Sequence, residues 1–335
     1  MPRSQLARAL RSGRPMRGCR LPRDPRVVRF RDELRDAAVV LAMALADAAV
    51  HLVPRPILRG GVAWISRVLV SVSPRRVRWA RINLALALPA LRQSEREQLL
   101  LVSLVHWAAN FVDLIRMRRY GRDEVLAHAD LAGADHLRAA LAHGRGALLI
   151  VPHLGHFELG LQRLAVEGFA PVVVQRPAPG RRLNRVLSRL RTRHGVELVD
   201  RAGALGRMRR ALRKGRVVVA TFDHDPGRSR TALMVPFFGL RVPTSAAIAW
   251  LAAHTGAPVL PCYVVRDAVD HHRATLLPPI LAPAIGVASV DLTLTTAVCM
   301  AAIEDIIRRH PAEWMWSYRR FRRSPDLGAD PYRAR

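Results

Sequence analysis

The chain has 335 residues, half of them hydrophobic, with 54 Lys and Arg against 26 Asp and Glu and a formal net charge of +28. That apolar content is enough for one large core and excludes a disordered or fibrous chain, while the charge calls for an anionic partner: nucleic acid, an anionic membrane or an acidic carrier protein. Three cysteines, Cys19, Cys262 and Cys299, lie far apart without a C-x-x-C pair, which excludes a disulfide framework and a cysteine zinc site and fits a reducing compartment.

In chain order, residues 1–35 are rich in arginine and proline and read as a flexible basic arm. They lack the form of a cleavable signal, because the apolar run begins only near Ala37, after Asp32, Glu33 and Asp36. Residues 36–74 carry two apolar stretches, 37–54 and 57–72. The first is interrupted by Asp47 and His51 and the second by Arg59 and Arg67, so the pair reads as membrane-associating helices lying at an interface. The flanking arginines would hold such helices against an anionic membrane surface.

Residues 75–325 then read as one catalytic domain, followed by a tail over 326–335. Residues 95–117 are amphipathic. Buried strands are expected at 147–151, 171–175, 216–221 and 258–265, and helices at 183–194, 204–214, 244–255 and 290–309. Alternating strands and helices predict an α/β fold, a layered mixed sheet flanked by helices.

The sharpest chemical signal is the end of the first buried strand, where VPHLGHFE places His153 and Glu158. A strand end is where α/β folds put reacting groups. On one continuous helix these two residues would point about 140° apart. With His153 on the turn and Gly155 permitting a bend, Glu158 in the first helical turn can instead reach back to the imidazole. A His–carboxylate pair without a serine points to transfer, the nucleophile being a hydroxyl on the substrate. His156 is the competing base, and helix capping is the plain structural alternative.

A second constellation, Phe222 to Arg228, also follows a strand. Asp223, Asp225, Gly227 and Arg228 there could hold an anionic group through backbone amides and a guanidinium, or simply form a D-P-G turn. Phe237 and Phe238, in VPFFG, could line an acyl channel or belong to the core. No G-x-S-x-G, G-x-x-x-x-G-K-[ST], H-E-x-x-H or strand-end G-x-G-x-x-G occurs, so no metal and no nucleotide cofactor is implied.

Taken together, these segments resemble the late acyltransferases of lipid A biosynthesis, within the lysophospholipid acyltransferase superfamily. Residues 81–100 resemble R-x-N-L-x-x-x-F-P, HLGHFE resembles H-x-G-N-W-E, and Gln175-Arg176-Pro177 with Asn184 resembles a Y-R-P and Asn segment. DHDPG resembles D-Q-D-x-G, VPFFG is unchanged, and residues 310–321 resemble H-P-E-Q-Y-x-W-x-x-R-R-F. The chain departs from the pattern at His156, at His224, and at Pro243-Thr244-Ser245, where a Thr-rich stretch is usual.

The resemblance implies a glycerolipid-acyltransferase-like fold and O-acyl transfer from acyl carrier protein to a membrane glycolipid, a lipid A precursor first, at the cytoplasmic face of a bacterial inner membrane. It implies His153 as general base, Glu158 as its partner, and Arg176, Asn184, Asp223, Asp225, Gly227, Arg228, Phe237 and Phe238 as substrate-positioning residues, with no cofactor. Related phosphatidylinositol mannoside enzymes carry Asp where this chain has Glu158, which favours the lipid A side; a lysophospholipid is a further acceptor. From another class stands a basic nucleic-acid-binding protein, disfavoured by 5% aromatic content, by arginines spread along the chain and by the lack of any finger or RNP-like spacing.

Overall fold

The computed structural model describes residues 25–53, 57, 60, 61, 64, 68, 73–175, 177, 178, 180–229, 231–280 and 291–333. Most of the basic arm, most of the second apolar stretch, Cys19 and Arg176 lie outside the described residues.

Helix α1 (Pro25–Leu52) begins within the expected basic arm and runs through the first apolar stretch. It packs on α3 (Gln93–Arg116) and on α7 (Arg181–Arg191). Asp47, which breaks the apolar run in the sequence, takes a hydrogen bond of 2.8 Å from Arg119 just beyond α3, so its charge is paired. Asp36 acts at a distance, accepting from the amides of Arg182 (2.7 Å) and Leu183 (3.0 Å) at the start of α7. Gly180 must be glycine for this contact: its φ is +94° and a Cβ there would meet Asp36 Oδ1 at 2.4 Å.

Helix α2 (Pro74–Ala87) precedes α3, and α4 (Arg122–His128), β1 (Ala129–Ala132) and α5 (Ala134–Ala142) follow it. The α/β core then runs β2 (Ala147–Val151), α6 (Phe157–Val166), β3 (Val172–Gln175), α7, β4 (Glu197–Asp200), α8 (Ala204–Arg213) and β5 (Val217–Thr221). A hairpin, β6 (Ala232–Phe237) and β7 (Leu240–Ser245), is followed by α9 (Ala247–Thr255), β8 (Val259–Ala268), β9 (His271–Leu276) and α10 (Leu292–Arg309). The expected helix over 244–255 starts later than its apolar pattern because Thr244 and Ser245 belong to β7.

Seven strands form one mixed sheet in the order β1-β9-β8-β2-β5-β3-β4, parallel throughout except for the β8–β9 pair. Central β2 is buried along its whole length, which explains why ALLIV is a continuous apolar run rather than an alternating one. Its side chains alternate between layers. Leu148 and Ile150 join α2, α8, α9 and α10, and Leu149 and Val151 join α5 and α6, with α4 and α7 packed beyond them. Cys262 and Cys299 are buried, and burial pushes both thiols up to about 12.

Among the described residues one helix, residues 93–119, is long and apolar enough to cross a membrane by length and composition, with a third of its most apolar stretch buried. Its outer face and that of α1 carry exposed Leu34, Leu41, Leu45, Leu52, Leu101 and Phe111. The α10 side of the core is sealed by Ile303, fully buried. Replacing Ile303 by Ala leaves a cavity that should lower the unfolding free energy by about 3 kcal/mol, measured by denaturant titration; a change within about 0.5 kcal/mol would mean that α10 is not packed as described.

Candidate active site

Two parallel strands build the candidate site. β2 and β5 are adjacent in a register that sets Val151 beside Thr221, so the residues two further along each chain, His153 and Asp223, meet just beyond the carboxyl edge of the sheet. Asp223 is completely buried and grips His153 twice: Oδ1 accepts from the imidazole Nδ1 at 2.7 Å, and Oδ2 accepts from the His153 backbone amide at 2.9 Å. Trp314 donates its indole N–H to the same Oδ2 at 2.7 Å. Burial alone would raise the Asp223 carboxyl, but the charge and hydrogen bond of His153, with His224 and Trp314, outweigh it and hold it below the ordinary carboxylate range. A carboxylate only accepts, so Nδ1 carries the proton and Nε2 remains for a substrate.

The turn after β2 is locked from two sides. Met315 N donates to His153 O and Gly155 N to Glu313 O, both at 3.1 Å, with Leu154 bridged to Trp314 between them. Gly155 has φ +58°, and a Cβ there would fall 1.8 Å from Val264 O, so no other residue fits the bend. The segment 313–316, from the far end of the chain, thus lies against the HLGHFE turn like a short added strand.

Three rings form a stack at the site. His224 lies flat on His153, with centroids 3.6 Å apart and planes within 6°, and Tyr318 covers the other face of His224 at 3.8 Å. Burial, with the charges of His153 and Arg320, pushes His224 down to about 4 despite the nearby carboxylates of Asp223 and Asp225. It is therefore neutral at neutral pH. His153, Asp223 and His224 come close enough to hold a metal ion. Stacked imidazoles, however, direct their in-plane lone pairs side by side rather than toward one point, so this donor set does not suit a metal without rearrangement.

Glu158 is placed otherwise than the sequence predicts. Helix α6 starts at Phe157, and the Glu158 carboxylate turns toward α7, where Arg191 Nε donates to both its oxygens (3.0 and 3.1 Å) and Arg191 Nη2 to Oε1 (2.5 Å). Arg191 also donates to Gln175 Oε1 at 3.0 Å, tying α6, α7 and the end of β3 together. The carboxylate on the imidazole is that of Asp223. Sequence alone could not supply this partner, because it depends on which strand lies beside β2.

His156, the competing base, is buried behind the turn. Burial and neighbouring His272 push it down to about 3, and its Nε2 has no hydrogen-bond partner among the described residues. His272 in turn donates to Asp113 Oδ2 at 3.2 Å, a carboxylate that Arg266 also holds at 2.5 Å.

The remaining predicted residues divide. Asp225 faces away from His153, with Arg323 Nε donating to it at 3.0 Å and the Gly227 amide at 2.8 Å, so this part of DHDPG is a braced turn. Arg228 is exposed at the rim. Asn184 accepts from the Ala178 amide at 3.0 Å and shapes the loop after β3. Phe237 and Phe238 are buried against Trp314, Trp316 and Phe321, core rings in this structure rather than walls of an open channel. Trp314, Tyr318 and Arg191 are not among the predicted residues; Trp314 and Tyr318 lie in the aromatic-rich end of the chain, whereas nothing local in the sequence marks Arg191.

Two predictions test this geometry. Removing Arg191 leaves Glu158 buried without its partner, so Arg191→Ala should lower the unfolding free energy by about 3 kcal/mol; a loss below about 1 kcal/mol would show the pair to be incidental. The second concerns pH. His156 and His224 stay neutral in the folded chain but take up protons below about pH 6.5 when unfolded, so stability is lost as the pH falls from there toward about 4, by up to about 1.4 kcal/mol per pH unit for each. Asp223, held low, adds a further loss only below about pH 4. Melting temperature against pH should therefore drop on the acid side, and His156→Asn and His224→Gln should each flatten the drop; an unaltered slope in both would contradict neutral burial.

Most of the chain matches known proteins. A family model described as bacterial lipid A biosynthesis acyltransferase matches residues 30–323. The lipid A biosynthesis lauroyltransferase of Escherichia coli is 25% identical over 276 residues, covering 82% of this chain and 88% of that protein. The phosphatidylinositol mannoside acyltransferase of Mycobacterium tuberculosis is 26% identical over 307 residues, covering 89% and 92%. The lipid A biosynthesis palmitoleoyltransferase of Escherichia coli is 27% identical over 253 residues, covering 75% and 80%.

Proposed function

The chain belongs to the bacterial lipid A biosynthesis acyltransferase family, and from that membership we propose that it moves a fatty acyl group from acyl carrier protein to a hydroxyl of a membrane glycolipid, a lipid A precursor first. The observation that carries the mechanism is the 2.7 Å hydrogen bond between His153 Nδ1 and the buried Asp223 carboxylate. Asp223 fixes the tautomer and supports the imidazolium as it forms. His153 Nε2 then takes the proton of the acceptor hydroxyl while its oxygen attacks the thioester carbonyl. Collapse of the tetrahedral intermediate breaks the C–S bond, and the departing thiolate recovers the proton from His153.

Two further features support the reading. A chain of net charge +28 suits an acidic carrier as donor. The exposed leucines of α1, with Leu101 and Phe111 of α3, suit a protein lying on a leaflet, where the acceptor resides. The mannoside acyltransferase relative supports a second acceptor class, phosphatidylinositol mannosides, since it matches more of this chain than the lauroyltransferase does.

Transfer from labelled acyl carrier protein to a panel of lipid acceptors tests both parts. The parent should acylate a lipid A precursor, and His153→Ala and Asp223→Asn should each be slower by about 100-fold or more with little change in acceptor KM. Preference for the mannoside would move the acceptor to the second class, and equal rates in parent and His153→Ala would remove His153 as the base.

A further inference from the structure

We propose that the outer face of α8 is the surface on which the acidic donor carrier docks, an assignment that rests on the carrier-borne donor proposed above. Charge is concentrated there beyond what the chain's composition requires. Between Arg201 and Arg216 there are seven basic residues and no acidic one. The helix buries Ala204, Met208, Ala211 and Leu212 against the core and turns Arg207, Arg210, Arg213 and Lys214 to solvent along one face. Arg207 donates only to the neighbouring Ala202 carbonyl, and among the described residues none of these four cations has a carboxylate partner. Exposed cations left unpaired in a row repel one another, and an anionic helix laid alongside would relieve that repulsion.

Topology connects this face to the chemistry. β4 is parallel to β2 and β5, so α8 starts at the same carboxyl edge of the sheet that presents His153 and Asp223. At that edge Arg201 donates to Pro226 O at 2.6 Å, joining the entry of α8 to the loop that carries Asp223 and Asp225. A carrier seated on α8 can therefore send its thioester arm over a short rim to the base.

The surface of α8 argues against a leaflet as the occupant. α1, with its exposed leucines, packs on α3 and α7, whereas α8 packs on α9 and on β3, β4 and β5. Leu205 is the one large apolar side chain that α8 itself exposes, whereas membrane-seated helices present an apolar stripe.

The test compares two donors of the same acyl group, one carried on acyl carrier protein and one on free pantetheine, with the parent and the variant Arg207→Glu/Arg210→Glu/Arg213→Glu. The variant should raise KM for the protein-borne donor by about 30-fold at low salt with kcat nearly unchanged, and the gap should close at high salt. Its rate with the pantetheine donor, its melting temperature and its binding to anionic vesicles should stay at parent values. Glutamine at the same three positions should give a smaller rise in the same direction, which separates lost attraction from misfolding.

Equal slowing with both donors, unchanged kinetics with the carrier, or lost vesicle binding would each overturn the docking face. A parent that uses the pantetheine donor but never the carrier would instead overturn the donor reading, and the docking face with it.

Discussion

A carboxylate taken wholly out of water is expensive unless nearly all of its lone pairs are met, and the site is arranged around meeting that demand at Asp223. Three donors converge on it: the imidazole and the amide of His153, and the indole of Trp314. The donors come from the turn after β2 and from the far end of the chain, and Asp223 itself follows β5, so satisfying one buried charge fixes the relative placement of three distant segments. The buried Arg320 strengthens the arrangement. It is fully enclosed, held by Pro243 O and Thr244 Oγ1 at 2.7 Å each, and although burial pushes it down to about 10 it keeps its positive charge at neutral pH. Its field opposes the negative charge of Asp223 while its hydrogen bonds tie the β6–β7 hairpin to the same terminal segment.

How much of this was legible in the sequence follows from the range of each interaction. The run ALLIV, the punctuating VPH and the need for glycine at 155 are local, and they located β2 and the turn of the candidate site. The choice between Glu158 and Asp223 is not local. Glu158 is five residues from His153 in sequence but turned away by the start of α6, whereas Asp223 is seventy residues away and brought close by strand register, which no periodicity in either strand encodes. The same holds for Arg191, whose role depends on α6 and α7 sharing a layer, and for Tyr318, whose ring completes a stack begun two strands away. Phe237 and Phe238 failed in the other direction: an apolar pair beside a site reads equally as channel or core, and only the packing of Trp314 and Phe321 around them decides.

The positive charge also changes meaning once it is placed. Read as a total, +28 does not distinguish among partners, and an arginine-rich composition accounts for much of it. In three dimensions many arginines are consumed internally, at Glu158, Asp113, Asp225 and Asp326, where they brace turns and helix ends. What remains unpaired is local, and on α8 it is the exposed row of Arg207, Arg210, Arg213 and Lys214.

The ring stack sits on His153, the proposed base. A second imidazole 3.6 Å from His153, the proposed base, would repel positive charge there if it carried charge itself. Burial removes that conflict by keeping His224 neutral through the physiological range. With Asp223 holding the edge of the His153 ring and His224 covering one face, the imidazole has little freedom to tilt or flip. The orientation of His153 is thus set by Asp223 and the ring stack, and His224 is buried deeply enough to stay uncharged beside it.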